Sequence, residues 1–350
     1  MKFDLSEDQE LLRRSTRDLL DREWPLEKSR RLMEHEPRGW DRGAWRQLAE
    51  MGYLGLLAPP SAGGQGLGPI ELAIVCEEVG RAALPGPYLD AVLAAALLEA
   101  AGGHDALLAD VVGGRRLAVI ARDDAPFSGE PRAVTRFADG RVQGRKYFVP
   151  FAASADVLLV ATPDGVALAE GPFAATALPT IDLAQRFAEV PLDHPAAFLG
   201  PATLLERVDR LAAVGAAAEL LGIMARLLDA TVGYVQTRQA FGRPIGSFQA
   251  LQHRLADMLL RTESTRSAVY RAAWCLATDD AEAPLACAAA KAYAGDAARA
   301  VAGEAIQMHG GIGFTWELDV HVFFKRAKTL EQHYGATETQ LARALAAAGL

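Results

Sequence analysis

The sequence predicts an α+β protein in three zones: an N-terminal helical domain over residues 1–113, a middle antiparallel β-barrel or sandwich over 114–199, and a C-terminal helical bundle over 200–350. Three observations predict it. Apolar residues recur at helical spacing towards both ends. Short β-prone runs separated by turn signals occupy the middle. An Ala/Leu-rich texture fills the last part.

The first zone opens on a helix-start signal. Ser6 followed by Gln9 forms a capping box, and Leu12, Leu19 and Leu20 then share one helical face. Further helix signals run from Asp41 to Met51 and from Ile70 to Ala82. Between them Pro59-Pro60-Ser61-Ala62-Gly63-Gly64-Gln65-Gly66-Leu67-Gly68 reads as a long loop. Tyr88 to Ala101 is the most apolar helix candidate and carries Asp90 and Glu99.

In the second zone Asp139-Gly140 sits between Val134–Ala138 and Arg141–Val149. Pro163-Asp164-Gly165 sits between Val157–Ala161 and Val166–Ala169. Both are hairpin signals, because these turn residues tolerate the backbone angles that a tight reversal needs. The third zone is entered at Gly200-Pro201. Helical patterns cover Leu204–Gln236, Ala281–Met308 and Ala336–Ala347. Between the first two, Leu251, Leu255, Met258 and Leu259 fall on one face. Helices of this number and length imply a bundle.

Composition excludes several classes. A chain of 350 residues exceeds one simple core, so two or three packed substructures are expected. Its 51% hydrophobic and 23% charged residues are those of an ordinary globular protein. The net charge is −8 with no dense basic block, which argues against nucleic acid. The acidic start Met1-Lys2-Phe3-Asp4-Leu5-Ser6-Glu7-Asp8 is unlike a signal peptide, and no uncharged apolar run has spanning length, so no membrane span is expected. Cys76, Cys275 and Cys287 are far apart in apolar settings. They read as buried thiols of a reducing cytoplasm, without a metal site. Hydrolase, P-loop and zinc-protease motifs are lacking, and the glycines at 63–68 follow no strand, so they fail the dinucleotide-fingerprint test.

Three stretches are chemically suggestive. In Arg238-Gln239-Ala240-Phe241-Gly242-Arg243-Pro244-Ile245-Gly246-Ser247-Phe248-Gln249, arginine stands beside aromatic rings in a tight connection between two long helices. That suits a flat anionic partner, because guanidinium pairs bidentately with phosphate and stacks on rings; the alternative is an ordinary helix–helix loop. Gln307-Met308-His309-Gly310-Gly311-Ile312-Gly313-Phe314 ends a helix with glycines, which either admit a close-lying ligand or simply stop the helix. The polar run Lys325–Gln340 reads as a break before the last helix, with Glu338 favourably placed in that helix's first turn.

Taken together and in this order, these stretches resemble the acyl-CoA dehydrogenase family over nearly the whole chain. The most specific marker is Arg238-x-x-Phe241-Gly242-x-Pro244-Ile245 followed by Phe248-Gln249, with Gln307-x-x-Gly310-Gly311-x-Gly313 downstream. Pro60-x-x-Gly63-Gly64-x-Gly66, Glu77-Glu78-x-Gly80-Arg81 and Val142-x-Gly144-x-Lys146 are similar to the family as well. The resemblance implies FAD shared between two subunits, its ring system on one chain's β domain and its adenosine half at the partner's bundle. Arg238 would then pair with the pyrophosphate. Phe241, Phe248 and Gln249 would line the dinucleotide, and Gln307, Gly310 and Gly311 would hold its adenosine side. The implied reaction is α,β-desaturation of acyl-CoA or a related acyl thioester, a base taking the α-proton and the flavin the β-hydride, with an electron-accepting flavoprotein downstream.

The departures from the family pattern are specific. The usual catalytic glutamate lies just before a glycine in the last inter-helix break, where this chain has Tyr334 before Gly335. A phenol, with its pKa of about 10, is a poor base at neutral pH. The alternative family position falls near Ala212, with Asp209 about a turn away. Glu331 and Glu338 flank the break and are further candidates. The hydroxyl usual beside the flavin is replaced by Pro150. Val119-Ile120-Ala121-Arg122-Asp123-Asp124 stands where the family has a Thr-Glu-Pro loop. The expectation is a subunit that completes an FAD site with a related dehydrogenase chain, as a heterotetramer. The alternatives are a self-sufficient homodimer or homotetramer with a non-standard base, and a non-redox scaffold.

Overall fold

In the computed structural model, which describes residues 5–125 and 134–350, helices come first, then strands, then helices. The early helices are α1 (Glu7–Glu23), α2 (Leu26–His35), α3 (Arg42–Glu50), α4 (Pro69–Ala82), α5 (Tyr88–Ala101) and α6 (Asp105–Val112). The strands are β1 (Ala118–Ala121), β2 (Arg136–Ala138), β3 (Arg141–Pro150), β4 (Val157–Thr162), β5 (Gly165–Glu170), β6 (Thr176–Leu178) and β7 (Phe187–Gly200). Then follow α7 (Leu204–Thr237), the short pair β8 (Gln239–Ala240) and β9 (Arg243–Pro244), α8 (Gln249–Ala277), α9 (Ala283–His309), α10 (Val320–Gln332) and α11 (Thr337–Ala347). The backbone gathers into two units built from separate segments. The first takes Met1–Ser29, Pro69–Leu84 and Ala212–Leu350; the second takes Arg30–Gly68 and Pro85–Leu211.

The first unit is helical. The capping box forms: Gln9 N donates to Ser6 Oγ at 3.2 Å, and Gln9 Oε1 accepts from Ser6 N at 2.9 Å. Helix α1 packs on α4, α4 on α8, and α9 lies against α8, α10 and α11. The crowding of α9 explains its alanines, since Ala290, Ala294, Ala297, Ala298, Ala302 and Ala305 are all buried and small side chains let helices approach. Two buried carboxylates of α4 are each matched by arginine. Glu78 takes two bonds from Arg17, and Glu77 accepts from Arg266 and from Tyr270 Oη at 2.8 Å.

The second unit carries a seven-stranded sheet in the order β1-β4-β5-β7-β3-β2, with β6 also on β7. Asp139 (φ 52°) and Gly140 (φ 71°) make the left-handed turn that joins β2 to β3. Pro163-Asp164 closes the second hairpin, with Thr162 paired to Gly165. The 14 residues of β7 serve both halves of the sheet, residues 187–195 facing β3 and 196–200 facing β5. The middle zone is a mixed sheet rather than a purely antiparallel one, because β1 and β4 pair in parallel. The reason is connectivity: β2 and β3 intervene, so the chain has the long crossover that parallel neighbours require.

Two further readings change. Residues from Lys325 to Gln332 belong to α10, so the break is confined to 333–336. Phe323, Ala327 and Leu330 are buried at helical spacing, a stripe obscured by the polar residues between them. Leu259 is 50% exposed, so the early turns of α8 do not bury the whole apolar row assigned to them. Helix α7 has an apolar window of spanning length, 83% buried inside the protein, so its hydrophobic faces serve as core.

Candidate functional site

Where α7 ends, Arg238 N still donates to Tyr234 O at 2.9 Å, and Ile245 N returns to Arg238 O at 2.8 Å. The chain between them is the β8–β9 hairpin, with Phe241 and Gly242 at its tip. Both tip residues are left-handed (φ 54° and 76°), as a tight two-residue reversal demands. The tip throws Phe241 outward to 93% exposure. Phe248 meets Phe241 edge to face at 6.1 Å and carries the Arg243 guanidinium 4.2 Å over its ring. Arg238 and Gln249 are exposed. Phe248 caps α8 without a side-chain hydrogen bond, which leaves that helix start with donor amides.

A second segment is brought to the same end of the bundle. Tyr234 stacks on His309 at 4.4 Å, and its hydroxyl donates to His309 O at 3.4 Å. His309 Nδ1 lies 2.7 Å from Ala305 O, so this histidine is structural. Arg254 of α8 and Glu304 of α9 add a 2.9 Å ion pair. Gln307, Gly310 and Gly311 are exposed, and a Cβ at Gly242, Gly310 or Gly311 would meet nothing within 4 Å. Exposed cations, flat rings and open glycine backbone fit an extended dinucleotide. Tyr234, which joins the segments, carries no motif of its own; its place one helical turn before Arg238 is its one signal in the sequence.

The α10–α11 break is the third feature. Tyr334 (φ 62°) and Gly335 (φ 100°) are both left-handed. Tyr334 packs on His333 at 3.8 Å. Gln340 donates to Tyr334 O at 2.8 Å. Glu331 is buried near the end of α10, with Lys328 at 2.6 Å and Arg299 at 3.4 Å on its carboxylate. Glu338 is exposed in the first turn of α11. Lys291 of α9, invisible to motif reading in its alanine-rich helix, is buried and donates to Glu331 O at 3.2 Å and Gly335 O at 3.1 Å. Burial pulls its pKa from 10.5 down to about 8, with Glu331 opposing.

Between about 8 and 10.5 the unfolded chain holds a proton on this lysine that the folded chain does not. Stability contributed by Lys291 therefore rises with pH through that window and is flat below it. Relative to Lys291→Met, the wild type should gain on the order of 3 kcal/mol between about pH 7.5 and 10.5. Denaturant unfolding at the two ends of that range measures this, and a constant difference contradicts it.

In the second unit, Lys146 is fully buried, ion-paired to Asp124 at 2.7 Å and bonded to Arg122 O at 2.9 Å. Desolvation lowers its pKa, and Asp124 opposes that. It pins the loop after β1. Arg122 in turn takes Asp209, so the carboxylate nearest the alternative base position is already paired. A register shift in β3 between Lys146 and Val149 turns Phe148 (φ 49°) outward to 39% exposure, just before Pro150.

Helices before and after a central sheet, with an exposed arginine, aromatic rings and open glycine backbone at one end of the helical unit, have the form expected of a dehydrogenase-type flavoprotein. The sequence matches the acyl-CoA dehydrogenase N-terminal domain over residues 6–106 and the acyl-CoA dehydrogenase C-terminal domain over residues 210–349. The acyl-CoA dehydrogenase IpdE2 of Mycolicibacterium smegmatis is 34% identical over 97% of this chain and 98% of its own. In structure, the chain is similar to the ChsE4-ChsE5 complex of Mycobacterium tuberculosis, with a TM-score of 0.88, 30% identity, and 98% and 97% of the two chains covered. A variant of the Tcur3481-Tcur3483 steroid ACAD gives a TM-score of 0.89 at 29% identity, covering 98% of each chain. The chain belongs to the acyl-CoA dehydrogenase family, whose cofactor is FAD.

Proposed function

We propose that this chain is the subunit of a heteromeric acyl-CoA dehydrogenase that completes an FAD site but brings no catalytic base of its own. The observation that carries the reading is the contrast between two ends of the helical unit. At the dinucleotide end, Arg238, Phe241, Gln307, Gly310 and Gly311 are exposed. At the α10–α11 break, Tyr334-Gly335 carries no carboxylate, and Glu331 is held by Lys328 and Arg299. The resemblance to two structures that are themselves paired assemblies by name supports it. FAD supplies the hydride acceptor when bound. This chain's part is then to hold the diphosphate with Arg238, line the dinucleotide with Phe241, Phe248 and Gln249, and hold its adenosine side with Gln307, Gly310 and Gly311.

On this reading the substrate is an acyl thioester, the base comes from a related partner chain, and electrons leave to another flavoprotein. Three buried free thiols suit a reducing cytoplasm. The test is to express the chain alone and with the dehydrogenase chains encoded beside it, then assay desaturation and flavin content. Activity is expected only in the pair. Full activity and one FAD per chain from the protein alone would overturn the proposal. In the pair, Arg238→Ala should weaken FAD binding by about tenfold or more, since a charge-assisted hydrogen bond to phosphate contributes roughly 1.5–3 kcal/mol. Its exposed position predicts an unchanged melting temperature for the FAD-free protein.

A further inference from the structure

The hairpin at the end of α7 sets two arginines side by side. Gln239 pairs with Pro244 and Ala240 with Arg243, and Ile245 N, donating to Arg238 O at 2.8 Å, adds a further rung. Residues opposite each other on such a ribbon share a face, and that face returns at every second residue. Arg238, Ala240, Arg243 and Ile245 therefore lie on one face, with Gln239 and Pro244 on the other. Arg238 and Arg243 are diagonal neighbours, whose Cα atoms stand about 7–8 Å apart on a paired ribbon. Between them is Ala240, whose short side chain leaves the space open.

Arg243 is fixed in place without being neutralised. Its guanidinium carbon lies 4.2 Å from the centroid of the Phe248 ring. Attraction to a ring needs no oxygen acceptor, so the guanidinium's N–H donors remain available. Phe248 is itself held by the turn between hairpin and α8. Ser247 Oγ donates to Pro244 O at 2.8 Å, and Gln252 Nε2 donates to Gly246 O at 3.0 Å. A Cβ at Gly246 would lie 3.0 Å from Val235 O, so this turn presses against the last part of α7. Arg238 and Arg243 are both exposed, and neither forms an ion pair among the described residues. Arg254, at the same end of the bundle, is by contrast matched by Glu304 at 2.9 Å. Two like charges at this spacing repel, and an anion set between them removes the repulsion and gains charge-assisted contacts to both.

We propose that Arg243 is a second diphosphate-binding residue, which with Arg238 clasps the FAD diphosphate from one face of the hairpin, one guanidinium to each phosphate. This rests on the reading above, which gives the diphosphate to Arg238 alone. Each phosphate carries negative charge, and each then has its own cation. Phe248 keeps Arg243 in place before the cofactor arrives, so less side-chain freedom is lost on binding.

The experiment titrates the complex with its partner chain, freed of FAD, with FAD, ADP and adenosine by calorimetry. Arg243→Gln should weaken FAD and ADP by about tenfold, the effect of one lost charge-assisted hydrogen bond, and leave adenosine unchanged, because adenosine has no phosphate. Added salt should weaken ADP binding less steeply in the variant than in the wild type, since one phosphate contact is already gone. Arg243→Lys keeps the charge and loses the fork, so its affinity should fall between the two. Wild-type ADP affinity in Arg243→Gln, with Arg238→Ala weakened, would overturn the proposal and leave the FAD site standing. So would an equal loss for ADP and adenosine, which marks a structural role. Wild-type FAD affinity in both Arg238→Ala and Arg243→Gln would remove the FAD-site reading itself, and this proposal with it.

Discussion

Glu219→Gln, with Arg326 left in place, is expected to lower the unfolding free energy by about 3–5 kcal/mol. The two side chains are 2% and 3% exposed and meet at 2.7 Å between α7 and α10, the Arg326 Nη2 donating to a Glu219 carboxylate oxygen. Gln keeps the volume of Glu, so no cavity confuses the result. What it removes is the charge that offsets a buried guanidinium, and an unpaired buried charge costs far more than a lost surface pair. Cys76 shares this environment. Its thiol is pushed up chiefly by burial and further by Glu219, which makes the pocket a poor place for any unbalanced charge. The double variant Glu219→Leu/Arg326→Met should recover most of the loss, since well-packed apolar replacements are often neutral. Chemical denaturation with an unchanged m-value checks both. A loss below about 1 kcal/mol for Glu219→Gln would show that the pair is effectively hydrated.

Gly222→Ala is expected to destabilise by about 3 kcal/mol or more, although glycine-to-alanine inside a helix ordinarily helps by up to about 1 kcal/mol. The sign is set by what the methyl meets. At Gly222 it would lie 1.8 Å from Glu77 O and 2.7 Å from Arg81 N, and at Gly80 2.0 Å from Glu219 O. These are backbone atoms of a facing helix, so no side chain can rotate away. Helices α4 and α7 must move apart, and with α4 would shift Glu77 and Glu78, whose arginine partners lie on α8 and α1. Gly233→Ala is the internal control. It lies on the same helix, and its Cβ would meet nothing within 4 Å, so it should stabilise by about 0.5–1 kcal/mol. Equal effects at 222 and 233 would refute the account.

The residues that announce themselves in sequence are those whose role depends on local chain geometry. Ser6 and Gln9 cap a helix three residues apart, and Asp139-Gly140 turns a hairpin between neighbours. The Arg238–Gln249 segment is similar, because glycine, proline and aromatic residues in a short break leave few local structures open. Site residues that work across long separations left no such trace. Lys291 reaches carbonyls 40 and 44 residues away, and Arg122 meets Asp209 after the whole sheet has passed. The run from Lys325 reads as a break because its polar residues hide the buried Phe323, Ala327 and Leu330 among them.

By itself, then, the sequence determined the order of helices and strands, the main turns, the family, and the exposed cluster that suits a dinucleotide. Periodicity and glycine or proline placement act over a few residues, so they survive without knowledge of the fold. Only the tertiary structure decided that β1 pairs in parallel with β4, that Glu331 is spoken for by Lys328 and Arg299, and that a buried lysine closes the turn at Tyr334-Gly335. These depend on which distant segments come within about 3 Å of each other, the distance over which hydrogen bonds and ion pairs are made.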